Sequence, residues 1–237
     1  MRSSIKKLLN AFFPPQCLIC SEKVSAIDSL CAQCWHQITF ISKPYCEICC
    51  VPFPTNMKEK ICAFCQEDKP IYDMVRSVVR FDDFSARIVH ALKYNDHTEL
   101  APALARLMVN ASDEVINNTD YIVPVPLHPK RLRQRKFNQA QLLAKFISRA
   151  TGIKTIPDLL IRTKDIPSQS GLNRRQRIAN VCDAFSIDQR NAHLIRGSRI
   201  IIVDDVITTG ATLSECSKCL LQAGSSKVYG LSFARTY

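Results

Sequence analysis

Two adjacent carboxylates followed by a short turn are the residues of this chain best suited to chemistry. They lie in the stretch RIIIVDDVITTGAT, where four apolar residues run into Asp204 and Asp205. Adjacent carboxylates can accept hydrogen bonds from a vicinal diol. The turn offers consecutive backbone N–H groups, hydroxyls and a glycine, a combination that suits a phosphate monoester. The stretch therefore predicts a site that binds a ribose 5-phosphate.

The predicted phosphate-binding residues are the five that follow the strand. A segment with helical spacing, TLSECSKCLLQAG, begins at their end, and the positive end of its dipole would face the same anion. These five residues are Thr208, Thr209, Gly210, Ala211 and Thr212.

Eight cysteines near the start of the chain form four CxxC pairs. Ten and twelve residues separate the pairs within successive couples. One CxxC pair can hold a tetrahedral ion by two thiolates, and a second pair completes four sulfur ligands. The sequence predicts two structural Zn²⁺ sites with sequential pairing, although interleaved pairing also satisfies the spacing. The pairs are Cys17/Cys20, Cys31/Cys34, Cys46/Cys49 and Cys62/Cys65.

A disulfide framework is the alternative use of these cysteines, and it requires an oxidising compartment. The start, MRSSIKKLLNAFFPP, has no recognisable export signal, so we expect reduced thiols in a cytoplasmic protein. A redox-active CxxC does not come in fours. We interpret Cys50 as a bystander beside a ligand, and Cys182, Cys216 and Cys219 as core residues.

From residue 71 onward, strand-like and helix-like segments alternate. The predicted strands are VRSVVRF, YIVPVPL, RIIIVDD and KVYGLSFA. The predicted helices are SARIVHALKYNDHTELAPALARLMVNAS, broken near residues 95–96, then NQAQLLAKFISRATG and TLSECSKCLLQAG. This order favours an α/β domain with a parallel sheet and helices on both faces, spanning residues 71–237. Residues 1–70 form a separate Cys-rich, zinc-binding domain. Ligands of such a sheet bind beyond the carboxyl ends of its strands.

The net charge of +11 is distributed unevenly. Residues 1–70 hold eight Lys/Arg against six Asp/Glu, whereas residues 71–237 hold 24 against 15. The basic surplus favours anionic partners such as phosphate-bearing metabolites or nucleic acid. No apolar run approaches the roughly 20 residues that a membrane-spanning helix needs.

Three segments resemble known proteins. VDDVITTGAT resembles the 5-phosphoribosyl-1-pyrophosphate (PRPP) loop of type I phosphoribosyltransferases. VPVPLHPKRLRQRKFNQAQLLA and SQSGLNRRQRIANV, behind a multi-CxxC start, resemble the ComF/GntX family over nearly the whole chain. That family includes competence proteins and joins a double zinc ribbon to a phosphoribosyltransferase domain. One departure is Lys136, where the family pattern RGFNQ has glycine.

The resemblance implies a role for each matched residue. Asp204 and Asp205 would hold the ribose hydroxyls and serve catalysis, the turn would hold the 5-phosphate, and Mg²⁺ would bridge sugar and pyrophosphate. Residues 126–137 would be the pyrophosphate loop and SQSGLNRRQR a mobile lid. Arginine forks match phosphate oxygens, which suits both segments. The side chains expected to meet pyrophosphate or DNA are Lys93, His128, Lys130, Arg131, Arg133, Arg135, Arg174, Arg175 and Arg177.

Three functions remain open on the sequence. The resemblance favours a protein that handles incoming single-stranded DNA in natural transformation, with a competence helicase as a candidate partner. The second is an active phosphoribosyltransferase, because residues that could hold the departing pyrophosphate are present. No base-binding segment is recognisable, however. A PRPP-responsive regulator without catalysis is the third. PRPP binding, base-dependent pyrophosphate release and strand binding distinguish them.

Overall fold

A sheet of five parallel strands forms the centre of the α/β part. The computed structural model describes residues 14–26, 29–54, 59–94, 97–165 and 174–237. The strands lie in the order β1–β7–β6–β2–β3, and every neighbouring pair is parallel. The predicted α/β class is confirmed. The bounds are β1 (Met74–Arg80), β2 (Tyr121–Pro124), β3 (Lys154–Thr155), β6 (Arg199–Ile207) and β7 (Lys227–Arg235).

Helices cover both faces of this sheet, and a small antiparallel pair of strands lies beside it. The pair consists of β4 (Leu160–Arg162) and β5 (Phe185–Ile187). The cysteine-rich part contributes α1 (Ala32–His36) and α2 (Ala63–Glu67). The other helices are α3 (Asp83–Tyr94), α4 (Leu100–Asn110), α5 (Asp113–Ile116), α6 (Pro129–Arg135), α7 (Gln139–Thr151), α8 (Arg174–Val181) and α9 (Ala211–Gln222), with a 3₁₀ turn at Ala192–Ile195.

The alternation of side chains along β6 divides the core into two layers. Ile201 and Val203 pack with α3, α4 and α7 on the first face. Ile200 and Ile202 pack with α9, β4 and β5 on the second face. All four side chains are fully buried, as a central strand of a parallel sheet requires. By the same alternation, the side chain of Asp205 lies on the first face and that of Asp204 on the second.

Successive connections run in opposite directions across the sheet on the two sides of the β2–β6 pair, although these two strands are parallel. The connection after β2 runs through α7 to β3, whereas the connection after β6 runs through α9 to β7 on the opposite side. The two loops therefore diverge and leave a crevice at the carboxyl ends of these neighbouring strands. Open α/β sheets bind their ligands at such a crevice.

Residues of the cysteine-rich part cover the β1 edge of the sheet. Phe40 forms an antiparallel bridge with Val79, and the N–H of Ile41 donates to the carbonyl of Val78 at 2.8 Å. An uncovered edge strand can pair with other chains and lead to aggregation, so this contact protects the β1 edge. A second contact links Lys43 Nζ to Glu114 Oε1 at 2.7 Å, and Glu114 also binds the buried Arg76 of β1.

The predicted segments and the observed elements agree closely. The four predicted strands correspond to β1, β2, β6 and β7, and the helix NQAQLLAKFISRATG corresponds to α7, which Gly152 ends at φ +78°. The predicted break separates α3 from α4, although residues 95–96 themselves lie outside the described ranges. No helix among the described residues is long and apolar enough to cross a membrane.

Candidate functional site

The carboxylates of Asp204 and Asp205 lie at the carboxyl end of β6 but on opposite faces of the sheet. Asp204 lines a small concavity with the turn 208–212, whereas Asp205 is directed to α3 and is 7% exposed. The N–H of Asp205 donates to Asp204 Oδ1 at 2.8 Å. Only Asp204 is therefore placed beside the turn in this arrangement.

The environment of Asp204 opposes its ionisation. Burial raises the pKa of Asp204 well above its usual range, and the adjacent charge of Asp205 acts in the same direction. The ammonium of Lys93 lowers this pKa but does not outweigh the other two effects. A ligand that donates hydrogen bonds or brings a cation to Asp204 would favour the carboxylate.

Asp205 is paired with Lys93, which lies in the last turn of α3. Lys93 Nζ is 2.7 Å from Asp205 Oδ2, and the two side chains are 23% and 10% exposed. Gln139, a buried residue at the start of α7, donates from Nε2 to the carbonyl of Lys93 at 3.5 Å and accepts from Arg135 Nη1 at 3.3 Å. Gln139 thus joins Lys93 and Arg135, two residues predicted to bind an anion. No sequence pattern indicated this role of Gln139.

The turn 208–212 leads from β6 into α9 through a left-handed glycine. Gly210 has φ +81° and precedes α9, and Thr209 Oγ1 accepts from the N–H of Ala211 at 3.3 Å. The side chains of Thr208 and Thr212 are half-buried. A Cβ at Gly210 would lie 2.9 Å from the hydroxyl of Tyr72, a buried side chain just before β1. The left-handed backbone and the nearby Tyr72 hydroxyl both favour glycine here.

The predicted pyrophosphate loop folds partly into the short helix α6. His128 caps this helix, since its Nδ1 accepts from the N–H of Lys130 at 3.4 Å. Lys130 Nζ lies 3.0 Å from Asp165 Oδ2, and this hydrogen bond lowers the pKa of Asp165. Arg131 and Arg135 are half-buried, and Arg133 is exposed. The segment follows β2 directly, so it begins at the carboxyl end of that strand.

Lys136 ends α6 in the left-handed region, at φ +65°. Left-handed backbone costs a non-glycine residue on the order of 1 kcal/mol. The family pattern has glycine at this position, and the turn here adopts the conformation that glycine favours.

Arg162 of β4 is a buried cation near the site that the sequence analysis did not identify. Its side chain is 9% exposed, its guanidinium lies 5.6 Å from the Phe185 ring, and its Nε makes no hydrogen bond among the described residues. Burial lowers the pKa of Arg162, and the charge of Arg131 acts the same way, whereas Asp204 opposes them. Arg162 follows the apolar run LLI in DLLIRT, but polar residues come next, so the sequence offers no signal that separates it from an exposed arginine.

The predicted lid lies mostly outside the described residues, which resume at residue 174. Arg174 and Arg175 begin α8, and their side chains are not among those described. Arg177 is half-buried on the same helix. The roles of these three arginines therefore remain predictions.

The eight CxxC cysteines form two clusters with the predicted sequential pairing. The first contains Cys17, Cys20, Cys31 and Cys34, and the second contains Cys46, Cys49, Cys62 and Cys65. The sulfur atoms within each cluster lie within 4.8 Å of one another.

Sulfur spacing and sulfur chemistry both fit zinc. A tetrahedron of sulfurs about 2.3 Å from Zn²⁺ has edges of about 3.8 Å. The Sγ atoms of Cys20 and Cys31 are 3.5 Å apart, and those of Cys49 and Cys62 are 3.6 Å apart. Burial opposes the ionisation of Cys46, but backbone N–H donors such as that of Cys62 lower its pKa to about 7. The clusters fit two structural zinc sites.

The other cysteines follow the predictions in part. Cys216 is fully buried and Cys219 is half-buried on α9, in agreement with packing roles. The prediction of a core position for Cys182 is wrong, because this residue is exposed in the turn after α8. The thiol of Cys50 is directed to the carbonyl of Ser77, 3.9 Å away.

Comparison with known proteins assigns both parts of the chain to characterised domain types. The profile of the Double zinc ribbon domain matches residues 8–67, and that of the Phosphoribosyl transferase domain matches residues 140–230. The fold and the cysteine clusters thus define a protein that joins a double zinc ribbon to a phosphoribosyltransferase-like domain.

Relatives from three bacteria extend along most of the chain. Competence protein F of Haemophilus influenzae is 30% identical over 231 residues, covering 94% of this chain and 98% of that protein. The DNA utilization protein YhgH of Escherichia coli K12 is 28% identical, covering 93% and 90%. Competence protein ComFC of Bacillus subtilis is 27% identical, covering 84% and 80%. The chain belongs to the ComF family of competence proteins.

Two solved structures align with part of this chain at low similarity. Adenine phosphoribosyltransferase is 20% identical, with a TM-score of 0.37 and coverage of 73% of this chain and 89% of that one. The glutamine PRPP amidotransferase from B. subtilis is 21% identical, with a TM-score of 0.38 and coverage of 76% and 32%.

Proposed function

We propose that this protein binds PRPP in the crevice between β2 and β6. The observation that supports this most strongly is the position of the turn 208–212. It begins a helix at the carboxyl end of the central strand, where the two connections diverge. Backbone N–H groups and the dipole of α9 would hold the 5-phosphate. Asp204, which lines the same concavity, would accept from a ribose hydroxyl.

The pyrophosphate of PRPP would lie on the side of β2, among the cations of residues 126–137. Lys93 would move from Asp205 to this anion, which would leave Asp205 available for the second hydroxyl or for Mg²⁺. Magnesium commonly binds to one or two carboxylates together with phosphate oxygens. The ion pair between Lys93 and Asp205 supplies the cation for this exchange.

Calorimetry with PRPP and Mg²⁺ tests this function. We expect binding by the wild-type protein and a loss of at least tenfold for Asp204→Asn, because the hydroxyl would meet a neutral acceptor. Asp158→Asn, in an exposed loop, serves as the control. Equal affinity of all three proteins, or no binding by the wild type, would refute the proposal.

The biological role that we propose is the handling of single-stranded DNA in the cytoplasm during natural transformation. The relatives named competence protein F, ComFC and DNA utilization protein support a role connected with DNA. The basic surplus supports an anionic partner, since Lys and Arg neutralise strand phosphates. A competence helicase is the candidate protein partner. We retain residues 1–70 and 71–237 as the proposed domains.

A groove beside the pyrophosphate loop is a candidate path for the strand. Its volume is about 790 Å³, and Phe137 and Leu142 line it together with the cationic side chains of Lys145, Arg149 and Lys154. No carboxylate appears among the described residues that line it. Exposed aromatic surface and cations are what a sequence-tolerant strand site requires. Leu132 and Lys136 also line the groove, so it is continuous with the loop 126–137.

Strand binding is tested by titrating a labelled oligonucleotide at several salt concentrations. Neutralising Arg131, Arg133 and Arg135 with Gln should reduce the slope of log K against log[salt] by about 2, at about 0.7 per strand phosphate. An unchanged slope and affinity would exclude this loop from the strand path.

The remaining alternatives concern the use of PRPP after it binds. Release of pyrophosphate with a panel of bases would identify an active phosphoribosyltransferase. Binding without turnover, combined with no strand affinity, would identify a PRPP-responsive regulator. The buried Arg162 favours a tightly held anion in either case, because its charge lies near Asp204 and Arg131.

A further inference from the structure

The CxxC turn 46–50 of the second cysteine cluster is attached directly to strand β1. The carbonyl of Ile48 accepts from the N–H of Val75 at 2.7 Å, and that of Glu47 accepts from Nη1 of Arg76 at 3.0 Å. Val75 and Arg76 are buried, with exposed fractions of 0% and 3%. Displacement of the CxxC turn would therefore leave buried donors without these acceptors, which is unfavourable.

The side chain of Cys50 carries this contact from the CxxC turn into the core of the second sheet face. Cys50 follows the ligand Cys49, has a left-handed backbone at φ +63°, and donates from its N–H to the carbonyl of Cys46 at 2.9 Å. Its side chain is 1% exposed, and its Sγ lies 3.9 Å from the carbonyl of Ser77. Cys50 and Tyr72 belong to the same buried cluster.

Tyr72 connects this core to the turn 208–212. It lies just before β1 and is 2% exposed. A Cβ built on Gly210 would lie 2.9 Å from the Tyr72 hydroxyl, so this side chain lies directly against the turn. Ala211 and Leu213, at the start of α9, are buried in the same cluster as Tyr72. Packed residues therefore extend without a break from the second cysteine cluster to the turn.

We propose that the second zinc site stabilises the conformation of the turn 208–212, with Tyr72 as the positioning residue. Small zinc-binding units commonly lose their fold with their metal, so loss of this ion would release the CxxC turn 46–50 from β1 and from the core around Tyr72. Chains of packed side chains can carry such coupling between two sites. The importance of this coupling for PRPP rests on the function proposed above, whereas the coupling itself does not.

The first cysteine cluster provides an internal control, because it packs on the other face of the sheet. Cys17, Cys31 and Cys34 belong to the core of the first face. The turn 208–212 contributes Ala211 to the core of the second face. The sheet separates these two cores. Loss of zinc from the first cluster should therefore leave the turn unchanged.

The test uses three variants of the full-length, zinc-loaded protein. The second-site variant is Cys62→Ser/Cys65→Ser, which empties the second cluster without altering the CxxC turn 46–50. The first-site variant, Cys31→Ser/Cys34→Ser, is matched to it, because it removes the second CxxC pair of the other cluster. Cys50→Ala keeps all eight ligands and removes only the side-chain contact with the core. Elemental analysis counts the zinc ions that each variant retains.

Hydrogen–deuterium exchange with mass spectrometry measures the conformational stability of the turn without any ligand. A peptide covering residues 208–214 reports the turn, and a peptide covering residues 227–235 of β7 reports the fold of the sheet. Because no ligand is added, a failure to bind PRPP would refute the proposed function and leave this measurement unaffected.

We expect the turn peptide of the second-site variant to exchange about tenfold or more faster than that of the wild type, because buried hydrogen bonds lose their partners. The β7 peptide should exchange at the wild-type rate. The first-site variant should match the wild type in both peptides, and Cys50→Ala should accelerate exchange of the turn by a smaller factor with both ions bound.

The proposal is overturned if the second-site variant keeps the wild-type exchange rate in the turn. It is also overturned if the two zinc-site variants accelerate this exchange equally. Should a zinc-site variant not fold, as fast exchange of the β7 peptide would show, Cys50→Ala decides the question. A wild-type rate in the turn of Cys50→Ala then overturns the proposal.

Discussion

Lys93 Nζ lies 2.7 Å from Asp205 Oδ2 and thereby joins the end of α3 to the end of the central strand β6. This ion pair occupies one of the two acids that the sequence predicts as ribose ligands. The other acid, Asp204, faces the opposite side of the sheet and has a pKa raised mainly by burial. The crevice therefore holds one paired carboxylate and one that resists ionisation.

Asp204→Asn should stabilise the ligand-free protein at neutral pH. The pKa of Asp204 is higher in the folded protein than in the unfolded chain, where it is about 3.9. The free energy of unfolding therefore falls as pH rises from the unfolded pKa through the folded pKa. Asparagine removes this dependence and can still accept from the N–H of Asp205. We expect a gain on the order of 1 kcal/mol or more at pH 8 that vanishes near pH 3. Urea denaturation at the two pH values measures it. A variant less stable than the wild type at pH 8 would contradict the burial effect.

Gly210→Ala should destabilise the fold and distort the turn 208–212. The alanine would meet the left-handed φ of +81° and the hydroxyl of Tyr72 at 2.9 Å. Gly152→Ala is the matched control, because Gly152 has φ +78° with nothing within 4 Å of the added Cβ. Each substitution should cost about 1 kcal/mol for the backbone, and only Gly210→Ala should cost more. Adding Tyr72→Phe to Gly210→Ala should recover part of the difference. Equal losses for the two alanine variants would show that Tyr72 does not restrict the turn.

Lys136→Gly should cost less stability than a glycine substitution inside the following helix, α7. At φ +65°, glycine relieves strain of about 1 kcal/mol, which offsets the flexibility that it adds to the unfolded chain. Lys145→Gly in the middle of α7 has no strain to relieve and should cost about 1 kcal/mol. Thermal unfolding of the two variants measures the contrast. If both lose the same stability, the turn after α6 is not strained.

Strand binding should depend on the positions of the cations in the groove along α7, and not only on the net charge of the protein. Replacing Lys145, Arg149 and Lys154 with Gln should reduce the salt slope of strand binding by about 2. The control replaces Lys23, Lys69 and Lys227, which are also exposed, and so changes the net charge equally. If the two triple variants lose affinity to the same extent, strand binding depends on net charge and not on the groove.

The α/β fold and the zinc clusters could be predicted because local signals determine them. Strongly apolar strands, helix-ending glycines and CxxC pairs act within a few residues of one another. Lys136 was visible as a departure from the pattern of a family, but its left-handed conformation was not predicted. Sequential zinc pairing was preferred on spacing, and the structure confirms it.

The residues that the sequence did not reveal act through contacts between distant parts of the chain. Tyr72 lies 138 positions before Gly210, and Gln139 links Lys93 to Arg135 across two helices. The separation of Asp204 and Asp205 onto two faces follows from strand alternation, yet a shared ligand suggested that both lie together. Buried arginines such as Arg162 and Arg235 show no local pattern that distinguishes them from exposed ones.

The most direct measurement is a crystal structure of the protein soaked with PRPP and Mg²⁺. The account predicts 5-phosphate oxygens within hydrogen-bonding distance of the backbone N–H groups of residues 208–212, with a ribose hydroxyl on Asp204. It also predicts that Lys93 leaves Asp205 and contacts the pyrophosphate. Clear density for the ligand at another location, or a turn that stays empty at saturating concentration, would contradict the central claim.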